Sequence, residues 1–287
     1  MELKHFWEML LACYGTTPFH PGKGTAIAAL ARKAGWTHPS PSVVKRRGIF
    51  YELDRTDLVE CEIYYKTYEP WETLAIDKLV GKGSVCLDVG ANVGYYTLLL
   101  SSLSGNSGQV HAFEPSDATF AKLHRNVQLN SANNVHLHKL ALSRKTGNSS
   151  LVTPAKNAGG ARLTNELGFP NTTISVSTLD HFAHSENLER LDFIKADIEG
   201  SEFGLLEGGI NTIQRFRPKM LIEINPRALA SFGDSAEDVI RFLDDNNYSS
   251  KRLTWYGKIS KWTTPRLGQY FNILAIPNKQ PTLTRKS

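Results

Sequence analysis

The chain has 287 residues, 41% apolar and 21% charged, which suffices for one large or two modest domains and excludes wholesale disorder. No run approaches the ~18 apolar residues that span a bilayer, and the short stretch Phe6–Leu11 carries Glu8, a poor match to a secretion signal. Cys13, Cys61 and Cys86 offer neither a metal spacing nor a disulfide framework, so a protein of a reducing, cytoplasmic compartment is expected.

The net charge of +5 is unevenly spread: the last 42 residues hold eight basic residues and no acidic one. Such a stretch is either a solvated hairpin with a frayed tail or a patch for nucleic acid, phospholipid or an anionic sugar. Its sign alone does not choose.

In chain order, residues 3–13 and 24–34 read as short helices joined by the breaker-rich segment from Gly15 to Gly22. The β-branched and aromatic residues of 48–65, centred on Asp54-Arg55-Thr56-Asp57, predict a β-hairpin. From residue 84 the pattern alternates. Apolar runs at 84–89, 109–113, 135–142, 191–196 and 219–224 are separated by helix-like segments at 93–103, 116–130, 202–215 and 235–246. This predicts an α/β fold with a doubly wound, mainly parallel, Rossmann-like sheet. The runs 251–256 and 269–276 have no convincing helix between them and are expected to add an antiparallel C-terminal strand. The insert at 143–190 holds the loop Asn157-Ala158-Gly159-Gly160 and an alternating run, Thr173–Ser177, that suits an extra strand. The expected organisation is an N-terminal helical and hairpin cap (1–80), a sheet domain (81–277) and a basic flexible tail (278–287).

The first chemical signal is Val85-Cys86-Leu87-Asp88-Val89-Gly90-Ala91-Asn92-Val93-Gly94, a buried strand, a turn and a helix start. Ligands of open α/β sheets bind beyond the strand ends, commonly at the first such turn. Gly90 permits a tight turn and close backbone approach, and Gly94 lets the helix pack on the sheet. Glu114 closes the next strand, where a carboxylate can accept both hydroxyls of an adenosine ribose. A dinucleotide would place its pyrophosphate against the first turn, where Asp88 would repel it. A sulfonium cation would be attracted. S-adenosylmethionine (SAM) therefore suits these residues better than a nicotinamide nucleotide. The competing reading is a capping aspartate with packing glycines and no ligand.

These blocks resemble the FkbM family of SAM-dependent methyltransferases. Leu87–Thr97 is similar to the family's D-V-G-A-N-x-G-x-Y-T turn, and Ala112-Phe113-Glu114-Pro115 to its A-F-E-P block. Asn126-Val127-Gln128-Leu129-Asn130 is similar to its N-x-x-L-N helix end, and Phe193–Glu202 to the distinctive I-K-x-D-x-E-G-x-E block. Arg217-Pro218, Glu223 and the upstream Tyr68-Glu69-Pro70 complete a match from about residue 46 to 276. The resemblance implies methyl transfer from SAM to a hydroxyl of a carbohydrate, glycolipid or natural product. It further implies that Asp88, Gly90, Asn92 and Glu114 hold the cofactor and that Glu69 closes over it. The acid that many such enzymes use for the adenine amine is missing from Leu140–Arg144, which leaves Ser143 or the backbone for that contact.

An alcohol is a poor nucleophile while protonated, so a base is expected near the acceptor. Asp197 and Glu199 sit two residues apart beyond the fourth parallel strand and would point the same way if the strand continued that far; Glu223 ends the next strand. Three readings stay open: Asp197 as base with Glu199 assisting; a magnesium ion held by these oxygens; or Glu199 and Glu202 favouring a helix N-terminus while Glu223 pairs with a basic neighbour. Lys195 alternates to the face opposite Ile194 and would neutralise the group. His136 and His138 read as structural, and His181, in the insert, is a further candidate base. The N-terminal aromatics suit core packing, sugar stacking or a homo-oligomer contact equally. Two alternatives to the sugar-type acceptor remain. One is an RNA methyltransferase using Lys251, Arg252, Lys258 and Lys261 with Trp255 and Trp262. The other is a non-catalytic binding subunit that keeps the cofactor fold.

Overall fold

The computed structural model describes residues 3–16, 23–33, 41–152, 162–164, 172–253, 259–260 and 270–279. Helices α1 (Leu3–Thr16) and α2 (Lys23–Lys33) open the chain. They are followed by β1 (Ser42–Arg46), β2 (Ile49–Leu53), α3 (Leu58–Tyr64) and α4 (Pro70–Leu79). A hairpin is present, but it lies earlier than the sequence suggested. β1 and β2 pair antiparallel around Arg47-Gly48, and both turn residues have positive φ. Residues 58–64 are helical instead, because Asp57 caps them: its Oδ1 accepts the Glu60 N–H at 3.1 Å. Leu11, Ile27, Ala31, Cys61 and Tyr65 bury one another where α1, α2 and α3 meet.

The alternating region gives β3 (Val85–Val89), α5 (Tyr95–Ser104), β4 (Gln109–Phe113), α6 (Asp117–Leu129) and β5 (Val135–His138). The run at 135–142 is not one strand. It breaks at Lys139-Leu140, and β6 (Ala141–Leu142) joins a second sheet with β7 (Gly147–Val152), β8 (Arg162–Thr164) and β9 (Thr172–Ser177), in the order β6-β9-β7-β8. Thr173–Ser177 is thus a strand, as its alternation implied, but not of the main sheet. The loop Asn157–Gly160 lies outside the described residues.

Helix α7 (Leu179–Ser185) leads into β10 (Phe193–Ala196). The segment expected as one helix at 202–215 forms two, α8 (Glu202–Glu207) and α9 (Ile210–Phe216), divided at Gly208-Gly209. Next come β11 (Lys219–Ile224), α10 (Pro226–Ala230) and α11 (Ala236–Asp245). The chain closes with β12 (Tyr248–Leu253), β13 (Ile259–Ser260) and β14 (Phe271–Pro277).

The main sheet runs β13-β12-β14-β11-β10-β3-β4-β5. Strands β11, β10, β3, β4 and β5 are parallel, and β14 lies antiparallel to β11 and β12. The chain thus winds outward one way from β3 and then the other way from β10, so the topological switch lies between these two strands. One face packs Cys86, Phe193 and Leu221 against Ile76 of α4 and Leu99 and Leu100 of α5. The other packs Leu87, Ile194 and Ile222 against α7, α8, α9 and α11.

The helix end Asn126–Asn130 fastens the hairpin to this sheet domain. Asn126, fully buried, accepts the Glu52 N–H at 2.7 Å and donates to the Val93 carbonyl at 2.8 Å. Asn130 accepts the Phe50 N–H at 2.8 Å and donates to the Phe50 carbonyl at 2.6 Å.

Candidate functional site

The cleft lies at the switch between β3 and β10 and draws its walls from all parts of the fold. Asp88 to Val93 and Phe113 to Pro115 form one side, Leu140 to Leu142 with Leu151 and Leu163 another, and Asp197 to Glu199 with Glu223 the floor. The cap adds Leu58, Val59, Glu62, Ile63, Tyr68 and Glu69. Seven of the lining residues are carboxylic acids: Glu62, Glu69, Asp88, Glu114, Asp197, Glu199 and Glu223.

The turn after β3 is held by its neighbour. The N–H groups of Gly90 and Ala91 donate to the Phe113 carbonyl at 3.0 and 2.9 Å, and the Asp197 N–H donates to the Val89 carbonyl at 3.0 Å. Gly90 has φ +85, and a methyl group there would overlap the Asp197 carbonyl oxygen. Only glycine lets the two strand-end turns meet. Asp88 is 1% exposed and accepts the Thr97 hydroxyl at 2.6 Å. Burial pushes it up to about 6, against the pull of Thr97 and Lys195. Glu114 accepts the Asn92 N–H at 3.0 Å and the Ser116 N–H at 2.9 Å; burial pushes it up to about 7. The Asn92 side-chain oxygen is buried in this wall without a hydrogen-bond partner, as is the Ser201 hydroxyl nearby. Asn92 itself has a left-handed φ of +49.

The acidic end of the cleft differs from expectation in its membership. Strand β10 stops at Ala196, and Glu199 takes a left-handed φ of +46, so alternation does not carry Asp197 and Glu199 to a common point. Glu199 turns to Asn225, accepting its Nδ2 at 2.9 Å. Glu202, buried at the start of α8, accepts the Gly200 N–H at 2.9 Å and the Ile198 N–H at 3.3 Å, which fixes the turn from within. The carboxylates that do converge are Glu69, Asp197 and Glu223, with one oxygen from each within 4.8 Å of the others. Glu69 reaches them from the cap on a left-handed residue (φ 35, ψ 60) ahead of Pro70, and accepts the Tyr96 hydroxyl.

Like charges about 4 Å apart repel by roughly 4 kcal/mol at an effective dielectric near 20, so three bare carboxylates cannot share this space. Burial pushes Glu69 up to about 8, and burial with Asp197 and Glu69 pushes Glu223 well above the usual carboxylate range. The counter-charge is Lys195, fully buried, with Nζ 3.5 Å from Asp197 Oδ2. The Lys195 ammonium already stands against Asp197, where it would repel a magnesium ion held by these oxygens.

Three expected site residues lie outside the cleft lining. Gly94 (φ +94) caps α5 and approaches α6, where an added methyl would stand 2.7 Å from Leu123 Cδ1. Ser143 sits behind the cleft against α8; a methyl on Gly204 would lie 2.9 Å from its hydroxyl, and Leu140–Leu142 form the wall instead. His181 is exposed on α7, its N–H bonded to the Thr178 cap at 3.0 Å. His138 pairs with His111 at 3.1 Å and, with His136, stacks around that buried ring, a packing role. Of the basic C-terminal residues, Lys251 is exposed and Arg252 lies over the Phe271 ring; Lys258, Lys261, Trp255 and Trp262 fall outside the described residues.

The profile of the methyltransferase FkbM domain matches residues 88–250, more than half the chain. Methyltransferase 1 of Beauveria bassiana is 27% identical over 44% of this chain and 58% of its own length. Hexuronic acid methyltransferase AglP of Haloferax volcanii is 26% identical over 58% of this chain and 64% of its own. The chain thus spans about three-fifths of the length of these curated relatives. The crystal structure of Methyltransferase FkbM from Methylobacillus flagellatus is 17% identical, with a TM-score of 0.47 over 94% of this chain and 58% of that one.

Proposed function

The chain belongs to the FkbM methyltransferase family, and from that premise we propose that it transfers a methyl group from SAM to a hydroxyl oxygen of a carbohydrate, glycolipid or natural product. One observation carries the reading. A single cleft at the switch point joins a turn suited to the cofactor, with Asp88, Gly90, Asn92 and Glu114, to an acidic group suited to deprotonating an alcohol.

The residues present fit the cofactor. The orphaned Asn92 oxygen supplies an unused acceptor beside Glu114. When bound, SAM supplies an electrophilic methyl group on a cationic sulfur. Asp88 and the acids around it favour that positive charge. Glu114, oriented by two backbone N–H groups, accepts the ribose hydroxyls with its remaining lone pairs. Asp197 takes the acceptor's hydroxyl proton. Glu69 closes the cap side of the reactive end, and the apolar walls from Leu58, Ile63, Leu151 and Leu163 exclude water.

The acceptor end combines apolar surface with Glu62 and Glu199, which suits a hydroxylated ring that needs both stacking surface and hydrogen-bond acceptors. The relative named for hexuronic acid supports a sugar-type acceptor. Seven lining carboxylates disfavour RNA, whose phosphates they would repel. The reading is tested by incubating the protein with methyl-labelled SAM and a panel of hexosides, uronosides, glycolipids and RNA, with products identified by mass. Label found only in RNA, or SAM binding with no product from any acceptor, would overturn it.

A further inference from the structure

This inference rests on the methyl-transfer reading and concerns the ammonium beneath the reactive end. Lys195 lies in β10 in register with Asp88 of β3 and Leu221 of β11, on the face that packs Cys86 and Phe193. Its side chain is fully buried, makes no hydrogen bond, and sits 5.2 Å from the centre of the Tyr96 ring. An apolar residue would pack there without the cost of burying a charge. The position therefore calls for the charge itself.

The groups facing this ammonium are Asp88 from β3, Glu69 and Glu72 from the start of α4, Asp197 beyond β10, Glu223 from β11 and Tyr96 from α5. Most are already engaged: Asp88 by Thr97, Glu72 by Asn272, Glu69 by Tyr96. Among the described residues, the Asp197 carboxylate has no hydrogen-bond donor and a single ion-pair partner, Lys195 at 3.5 Å. We infer that Lys195 is a positioning residue for methyl transfer: its ammonium fixes the Asp197 carboxylate at this end of the cleft, where it takes the acceptor's proton. Glu69 and Glu223 share the proton that their crowding demands. The hydroxyl proton ends on an Asp197 oxygen, and Lys195 keeps its own protons throughout. The directions for Glu69 and Glu223, both raised by burial with Lys195 pulling them down, agree with this division.

The test follows Glu69, because its titration is readable without cofactor or acceptor. Protein labelled with carbon-13 at its glutamate carboxyls is titrated by NMR, with the Glu69 resonance assigned by its loss in Glu69→Gln. In Lys195→Met, folded by circular dichroism, the Glu69 midpoint should rise by about one pH unit or more, tenfold in proton affinity. An unchanged midpoint in the folded variant overturns the proposal. Should Lys195→Met not fold, the Glu223 resonance is followed in Glu69→Gln instead: removing the Glu69 carboxyl from the group should lower the Glu223 midpoint, and no movement overturns the sharing of a proton. Calorimetry with SAM on the wild-type sample separates the premises. Absence of binding there would sink the methyl-transfer reading while leaving the titration result standing.

Discussion

Gly90 and Asp197 meet backbone to backbone, across the gap where the sheet reverses its strand order, with no room for a methyl group between them. This contact sets the width of the turn proposed to hold SAM. Gly90→Ala should therefore fail twice, through overlap with the Asp197 carbonyl and through a left-handed φ that costs roughly 1–3 kcal/mol for a non-glycine residue. The expected outcome is a melting temperature lowered by several degrees and no measurable heat with SAM. Wild-type affinity in Gly90→Ala would show that the turn does not frame the ligand.

SAM binding should tighten as pH rises from 6 to 8. Asp88 and Glu114 are pushed up to about 6 and about 7 by burial, so both become fully anionic only across that range. A cationic ligand favours the anionic forms, and each coupled group contributes at most about tenfold per pH unit. S-adenosylhomocysteine, whose sulfur is uncharged, should show a shallower dependence by calorimetry. Stability without ligand runs the other way. A carboxyl whose folded pKa exceeds its unfolded value binds more protons when folded, so stability falls as pH climbs from about 4.5 through 7. The melting temperature of the free protein should be lower at pH 8 than at pH 5.5.

Asp197→Asn should retain SAM affinity and lose turnover by ~10²–10⁴, the range of general-base catalysis. Glu199→Gln should fall less, because its carboxylate serves Asn225 and not the converging group. His181→Ala, on an exposed helix face, should stay within about twofold of wild type. Equal losses in all three, measured with one acceptor by product mass, would reject this ordering.

Asn126→Ala should destabilise the protein by roughly 1–3 kcal/mol, since it strands the buried Val93 carbonyl and the Glu52 N–H. Because the same asparagine ties the cap to the sheet domain, proteolysis of residues 41–60 should accelerate in step. A variant with wild-type melting and wild-type protection would show that the cap is held by its apolar contacts alone.

The sheet and its turn were legible because their signals are local. Asp88, Gly90 and Gly94 fall within seven residues, and the strand runs are continuous. The hairpin was misplaced because β-branched content outweighed the Asp57 and Glu60 pair, a helix-start spacing that correctly marked α3. Pro70 likewise marked the start of α4, and with it Glu69 as a helix-entry residue. No local pattern could place Glu69 beside Asp197, because that meeting depends on how the cap docks. The pairing of Asp197 with Glu199 failed for a related reason: alternation holds only inside a strand, and β10 ends first.

The asparagines of α6 also bear on solubility. A two-stranded ribbon normally presents two rows of unpaired peptide groups, each a template for another chain. Here Phe50 has both its outward peptide groups taken by Asn130 and Glu52 its N–H by Asn126, so these positions along β2 are already occupied against a foreign strand. Aggregation through this ribbon is left with the opposite border, along β1, where the exposed Lys45 adds positive charge.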